Sequence, residues 1–207
     1  QIKRIRSAGG DAFSLQADFR SSQAVAETVE EVAAHFGRLD ILINNAGSMV
    51  GRRRLAEVDD DFIDQVFDLN ARSVATACRA ALPIFSQQKS GCIINVSSIS
   101  ARTGGSPGSS IYSASKAFIS TLTRSLAREL ADQHIRVNAI SPGTIDTAFH
   151  EQFSSREKLN KTQETIPMQR LGVAQDCTGT ALYLASNSLS GYVTGQVIEI
   201  NGGQLMA

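Results

Sequence analysis

A chain of 207 residues suits one ordinary domain with a sizeable core, so neither disulfide nor metal staples are needed to hold it folded. With 42% apolar and 19% charged residues, 16 Gly and 4 Pro, the composition excludes disordered, collagenous and coiled-coil classes. Twenty Lys and Arg balance twenty Asp and Glu, which argues against nucleic acid or an anionic membrane as partner and favours a small neutral molecule.

Cys78, Cys92 and Cys177 are odd in number, lie in apolar stretches and lack CxxC spacing. They predict buried packing in a reducing compartment, the cytoplasm, rather than a disulfide framework or zinc site. No run of about 18 apolar residues predicts a transmembrane helix. The opening Gln1-Ile2-Lys3-Arg4-Ile5-Arg6, without Met, is expected of a sequence that starts partway through a longer protein.

In chain order, residues 1 to 8 read as the last turns of a helix that Gly9-Gly10 stop. Phe13, Leu15 and Ala17 alternate with Ser14 and Gln16, which predicts a strand with one wetter face. Val25, Val29, Val32 and Phe36 recur at helical spacing between a Ser21-Ser22 cap and Gly37. Leu39 to Ile43 is nearly continuous in apolar residues, which predicts a strand covered on both faces, and Asn44-Asn45-Ala46-Gly47 follows it.

Helical periodicity runs from about Asp59 to Gln88, then Cys92 to Val96 reads as a buried strand ending in Ser97-Ser98. Phe118, Leu122, Leu126 and Leu130 mark a helix stripe; Ile135 to Ile140 reads as a strand, 174 to 185 as a helix and Val197 to Ile200 as a last strand. Five strand signals separated by helices point to a single-domain α/β fold with a parallel sheet. In such sheets ligands bind beyond the carboxyl ends of the strands. Asp18, Asn44 to Gly47, Ser97-Ser98 and Pro142-Gly143 each follow a strand signal, so their polar and glycine chemistry should converge there.

Tyr112-Ser113-Ala114-Ser115-Lys116 puts a phenol and an ammonium one helical turn apart. A cation roughly 4 Å away at an effective dielectric of about 20 stabilises phenolate by about 4 kcal/mol, nearly three pKa units, and would bring Tyr112 towards working pH. By itself the pair also fits an exposed tyrosine beside a solvated lysine. Ser98 lies fourteen residues earlier across a Gly- and Ser-rich loop that can bring hydroxyl and phenol together. Asn70, on a helix otherwise lined by Val66, Phe67 and Val74, reads equally as a satisfied core amide. Arg52-Arg53-Arg54 reads as a solvated loop, with attraction of a substrate carboxylate or phosphate as the alternative. His35, His134 and His150 are scattered without metal-ligand spacing and are expected at the surface, with no metal site. No GxSxG elbow supports a serine hydrolase.

The order and spacing of NNAG at 44 to 47, Asn70, Ser98, Tyr112-x-x-x-Lys116, Pro142-Gly143-x-x-x-Thr147, Tyr192 to Gln196 and Asn201-Gly202-Gly203 resemble the short-chain dehydrogenase/reductase family along essentially the whole chain. The resemblance implies a Rossmann-type three-layer α-β-α doubly wound parallel sheet, with NAD or NADP as cofactor and interconversion of a carbonyl and a secondary alcohol. It implies a tetrad in which Tyr112 moves the proton and Ser98 holds the substrate oxygen. Lys116 would tune the phenol and hold the nicotinamide ribose, while Asn70 would fix a relay water. It further implies that Asp18 and Phe19 meet the adenine, that Asn45, Ala46 and Gly47 pass the adenosine side, and that Pro142, Gly143, Ile145 and Thr147 hold the carboxamide end.

A homotetramer and a substrate lid over 148 to 170 follow from the same likeness, with a sugar-derived ketone or a 3-oxoacyl group as substrate. The family's first two strands and the TGxxxGxG loop between them are absent from these 207 residues, so the domain is read as amino-terminally incomplete. A natural chain about forty residues longer is expected, because a missing central strand leaves backbone groups unpaired. The competing reading is a non-catalytic truncated homologue that serves as an assembly or binding module.

Overall fold

The structure, a computed structural model, describes residues 1 to 206. Its elements run α1 (Ile2–Ser7), α2 (Ser22–Phe36), β1 (Ile41–Asn44), α3 (Asp60–Phe67), α4 (Ser73–Gln88), β2 (Gly91–Val96), α5 (Ser100–Thr103), α6 (Ser110–Leu130), β3 (Ile135–Pro142), α7 (Ala148–Phe153), α8 (Arg156–Thr165), α9 (Ala174–Ala185), α10 (Asn187–Ser190) and β4 (Val197–Ile200). The four strands form one parallel sheet in the order β1-β2-β3-β4. Asn44 faces Asn95, Val96 faces Ile140 and Pro142 faces Ile200, so the carboxyl ends of the strands share one edge.

Alternating residues of the buried strands feed two apolar layers. Ile93, Ile135 and Val137 pack under α2, α4 and α6 through Val25, Val29, Ala81, Phe85, Ile119 and Leu130. Cys92, Ile94 and Ile140 pack under α9 through Leu184. The result is the three-layer α-β-α arrangement of a Rossmann-type fold.

Local signals locate several boundaries well. The Ser21 hydroxyl accepts from the Ala24 amide at 3.3 Å to start α2, and Gly37 at φ 70° ends it. Gly9, at φ 84°, follows the last turn of α1. Three expectations need correction. Residues 13 to 17 form no strand: Phe13, Leu15 and Ala17 are half-buried and Ser14 and Gln16 exposed, but no neighbouring strand offers them a ladder. β1 is not covered on both faces, since Ile41 and Ile43 remain 40% and 51% exposed at the open edge of the sheet. On α6 the expected stripe holds in part: Leu130 is buried and Leu122 and Leu126 pack half-buried against the core, but Phe118 is exposed and the fully buried face also takes in Lys116, Ile119, Thr123 and Ala127.

The helical stretch from Asp59 to Gln88 is interrupted at Asp68–Arg72 by a π-helical turn. Such turns shift the register of the helix face and favour functional positions. Here the turn carries Asn70 inward.

Candidate active site

A cleft of about 830 Å³ opens above the carboxyl ends of β2 and β3. β2 runs into Ser98, α6 contributes Tyr112 and Lys116, and the segment after β3 contributes Pro142, Gly143, Ile145 and Thr147, all lining this one space. Asn45 and Gly47 reach it from β1. Residues far apart in the chain therefore converge as their positions after strands required.

Lys116 is 5% exposed, and its ammonium donates to the Val96 carbonyl at 2.8 Å. Among the described residues its other two N–H donors have no protein partner and no carboxylate pairs with it. Burial holds its pKa down at about 8. A Cβ on Gly47 would lie 2.7 Å from Asn70 Oδ1 and 3.2 Å from Lys116 Nζ, so only glycine lets the loop backbone lie this close. A buried cation with two free donors beside bare backbone suits a neutral polyol such as a ribose.

Tyr112 sits one turn before Lys116, and the ammonium lies 5.8 Å from the centre of its ring. The phenol is not brought down towards neutral pH as the sequence arithmetic expects. Burial pushes it up to about 12, with the Ser98 hydroxyl pulling the other way. The reason is burial: the water lost around the phenol outweighs the Ser98 hydrogen bond, while the ammonium is anchored on the Val96 carbonyl.

Ser98 is itself oriented. Its oxygen accepts from the Ser100 amide at 3.2 Å and the Ser100 hydroxyl at 3.0 Å, which leaves the Ser98 proton to be donated elsewhere. Asn70 is fully buried; it donates to the Ser48 and Val66 carbonyls at 2.8 Å each and accepts from the Ser48 amide at 3.1 Å. Both amide hydrogens are thus occupied in clamping the loop that follows Gly47, and one acceptor lone pair on Oδ1 remains.

Asp18 lies outside the cleft. Its carboxylate is paired with Arg20 at 2.6 Å, and those hydrogen bonds hold it down at about 2. Phe19 and Ala46 line a separate apolar groove of about 280 Å³ along the open edge of β1, which Asn45 also borders. Two groups expected at the surface prove to line the cleft, Arg52 and His150. The other two arginines of the run behave as a loop: Arg53 pairs with Asp59 at 2.8 Å and lies over the Phe62 ring, and Arg54 is exposed.

A buried polar ladder escaped the sequence reading. Asn44 donates to Asn95 at 2.9 Å, Asn95 donates to Thr123 at 2.9 Å, and Ser97 donates to the Lys116 carbonyl at 3.0 Å. These bonds tie α6 to the ends of β1 and β2, so Tyr112 and Lys116 are held rigidly over the sheet edge. The polar residues inside otherwise apolar strands were the available signal.

A family model described as enoyl-(acyl carrier protein) reductase matches residues 1–204. The chain is 37% identical over 205 residues to the 3-oxoacyl-[acyl-carrier-protein] reductase FabG of Staphylococcus aureus, covering 99% of this chain and 82% of the relative. It is 39% identical over 180 residues to the FabG of Thermotoga maritima, covering 86% of this chain and 71% of that one. Among solved structures, the NADH-dependent reductase A1-R' complexed with NAD superposes with a TM-score of 0.87 at 34% identity, covering all of this chain and 80% of that one. The same reductase, described as responsible for alginate metabolism, also superposes with a TM-score of 0.90.

Proposed function

The chain belongs to the short-chain dehydrogenase/reductase family, and from that premise we propose that Tyr112, Ser98, Lys116 and Asn70 carry its chemistry. It is an NAD(P)-dependent oxidoreductase that interconverts a carbonyl and its alcohol. The observation that supports the site assignment best is the convergence of Ser98, Tyr112 and a carboxylate-free buried Lys116 on one cleft.

When bound, the nicotinamide supplies or accepts the hydride. Tyr112 gives its phenolic proton to the substrate oxygen in reduction and takes it back in oxidation. Ser98, with its oxygen accepting from Ser100, keeps its proton and donates a hydrogen bond to the same oxygen, which stabilises the negative charge that develops there. Lys116 holds ribose hydroxyls with the two donors that Val96 leaves free. Asn70 acts as a positioning residue that fixes the loop at Gly47, and its remaining lone pair is the place for a relay water. Pro142, Gly143, Ile145 and Thr147 border the carboxamide end, Asn45 and Ala46 the adenosine side, and Asp18 and Phe19 the adenine.

The segment 148 to 170 is read as a lid: the Phe149 ring of α7 lies beside that of Tyr112, with centres 5.8 Å apart and planes tilted by 41°. Ser98→Ala tests the assignment. Steady-state nicotinamide absorbance on an active carbonyl substrate should show turnover down by about 10²- to 10³-fold, as for loss of an oxyanion donor. Near-normal turnover would remove Ser98 from the mechanism.

The assembly reading is a homotetramer in the cytoplasm, with α4 and α6 packing across a twofold axis and the terminal strand region forming a second contact. Its support is the exposure of Phe118 on α6, and of Leu182, Leu189 and Tyr192 near the terminal strand, together with three unpaired thiols. Light scattering on the natural enzyme purified without reductant should find a tetramer, with three titratable thiols per chain after denaturation. A stable monomer rejects the assembly, and a disulfide-linked species rejects the compartment. No helix of the described residues is long and apolar enough to cross a membrane.

A further inference from the structure

The chain as a whole is neutral, but its cleft is not. Arg52, Lys116 and Lys158 line it, and no Asp or Glu does among the described residues. Lys116 is accounted for by the ribose. The other two cations meet at one hydroxyl: Arg52 Nη1 donates to Ser106 Oγ at 2.8 Å and Lys158 Nζ donates to the same atom at 3.0 Å. Two like charges are thereby held within two hydrogen-bond lengths of each other. Neither has a carboxylate partner among the described residues, although eight Lys or Arg ion pairs form elsewhere, Arg156 with Asp146 next to Lys158 among them.

Juxtaposed cations repel, and a fold tolerates them where a counter-charge arrives from outside. Ser106 Oγ accepts twice, and its own proton has no acceptor among the described residues. Arg52 Nη2 has no partner among the described residues either, its Nε being spent on the Phe153 carbonyl at 2.7 Å. The backbone aims this group deliberately: the Arg53 amide donates to the Gly108 carbonyl at 3.1 Å, which docks the arginine loop on the Ser106 loop. The neighbouring titratable groups agree. Burial and then the charge of Arg52 push His150 down, Lys158 pushes the same way, and Asp146, engaged by Arg156, is alone in pulling it up.

We propose that Arg52, Ser106 and Lys158 form an anion-binding subsite of the catalytic cleft, and that the substrate is a carbonyl compound, or its alcohol, bearing a carboxylate or phosphate group. This rests on the oxidoreductase reading above and names its substrate class. An anion here would bridge the loop after β1 to Lys158 on α8, where Arg52 already holds the Phe153 carbonyl and Lys158 the Ser106 hydroxyl. None of the subsite's side-chain bonds involves a residue assigned to the cofactor, since Arg52 and Lys158 reach only Ser106, Pro107 and Phe153.

The test uses the full natural chain and matched pairs of substrates: acetoacetate, 4-oxopentanoate and 5-oxohexanoate against their methyl esters, and dihydroxyacetone phosphate against dihydroxyacetone. At least one anion should be turned over with kcat/KM about 10-fold or more above its neutral partner, as charge-assisted hydrogen bonds imply. The preference should enter through KM. Lys158→Met and Arg52→Met should each abolish it, so that within the same variant the anion is turned over no better than its neutral partner; Lys158 is the safer site, because its side chain bonds only Ser106. Preference in the acid pairs identifies a carboxylate, and in the phosphate pair a phosphate.

Equal turnover within every pair, or a preference that survives both variants, overturns the subsite and leaves the hydride reading intact. So does a Lys158→Met enzyme whose KM rises for the nicotinamide cofactor instead. Should no pair be turned over, calorimetric titration of 4-oxopentanoate and of dihydroxyacetone phosphate decides: binding lost in both variants upholds the subsite, and no binding overturns it.

Discussion

Tyr112→Phe should lower turnover by about 10²- to 10⁴-fold, or about 3 to 5 kcal/mol of barrier, while fold and cofactor affinity persist. The substitution removes one oxygen and keeps the ring, so the tilted contact with Phe149 at 5.8 Å and the packing of α6 are retained. The pH profile of the parent enzyme carries the same assignment. Burial pushes the free-cleft phenol from 10.0 up to about 12, so its protonated form dominates throughout the neutral range. Carbonyl reduction, which needs that form, should show kcat/KM with no Tyr112 transition between pH 6 and 9. Alcohol oxidation needs the phenolate, so its kcat/KM should climb about tenfold per pH unit over the same interval. Steady-state nicotinamide absorbance measures both directions. A Tyr112→Phe enzyme retaining most of its activity would sink the assignment on which the functional reading rests.

Lys116→Met should separate stability from activity. The buried ammonium has its pKa held down from 10.5 to about 8, which means the fold disfavours its charged form. Between those values the unfolded chain keeps a proton that the folded chain has lost, so the stability contributed by this group rises with pH from about 8 to 10.5 and is least below 8. Methionine replaces the cation with an apolar side chain of similar length. The ligand-free variant should therefore gain stability at pH 7, by up to about 3 kcal/mol less the cost of leaving the Val96 carbonyl without its donor, and lose the rise above pH 8. Denaturant titrations at pH 7 and pH 10 measure this. The same variant should show a KM for the nicotinamide cofactor about 10- to 100-fold higher, as for loss of charged hydrogen bonds, together with reduced kcat. A variant that is destabilised at pH 7 and binds the cofactor normally would assign Lys116 to the scaffold instead.

What the linear sequence determined by itself is local in origin. The Ser21 cap and the Gly37 stop bound α2 because capping is decided within a few residues, and the i to i+4 spacing of Tyr112 and Lys116 needed only helix geometry. The parallel sheet was legible from alternating apolar runs and helical stripes. The convergence of Ser98, Tyr112 and Thr147 followed from the rule that loops after parallel strands share one edge.

Tertiary structure decided whatever depended on distant neighbours. Residues 13 to 17 carry a strand's alternation but no strand, because a ladder requires a partner and pattern cannot supply one. Tyr112 and Lys116 stand one turn apart as expected, yet the sign of the phenol shift turned on how much water the phenol loses on burial. Arg52 sits in a run of three arginines that spacing alone cannot tell apart. Only the docking of its loop on Gly108 sends that one into the cleft, opposite a lysine more than one hundred residues away in the chain. Net charge, a sum over the whole chain, carries no information about such a local excess, because opposite charges are paired elsewhere on the surface and the cleft is left with one sign.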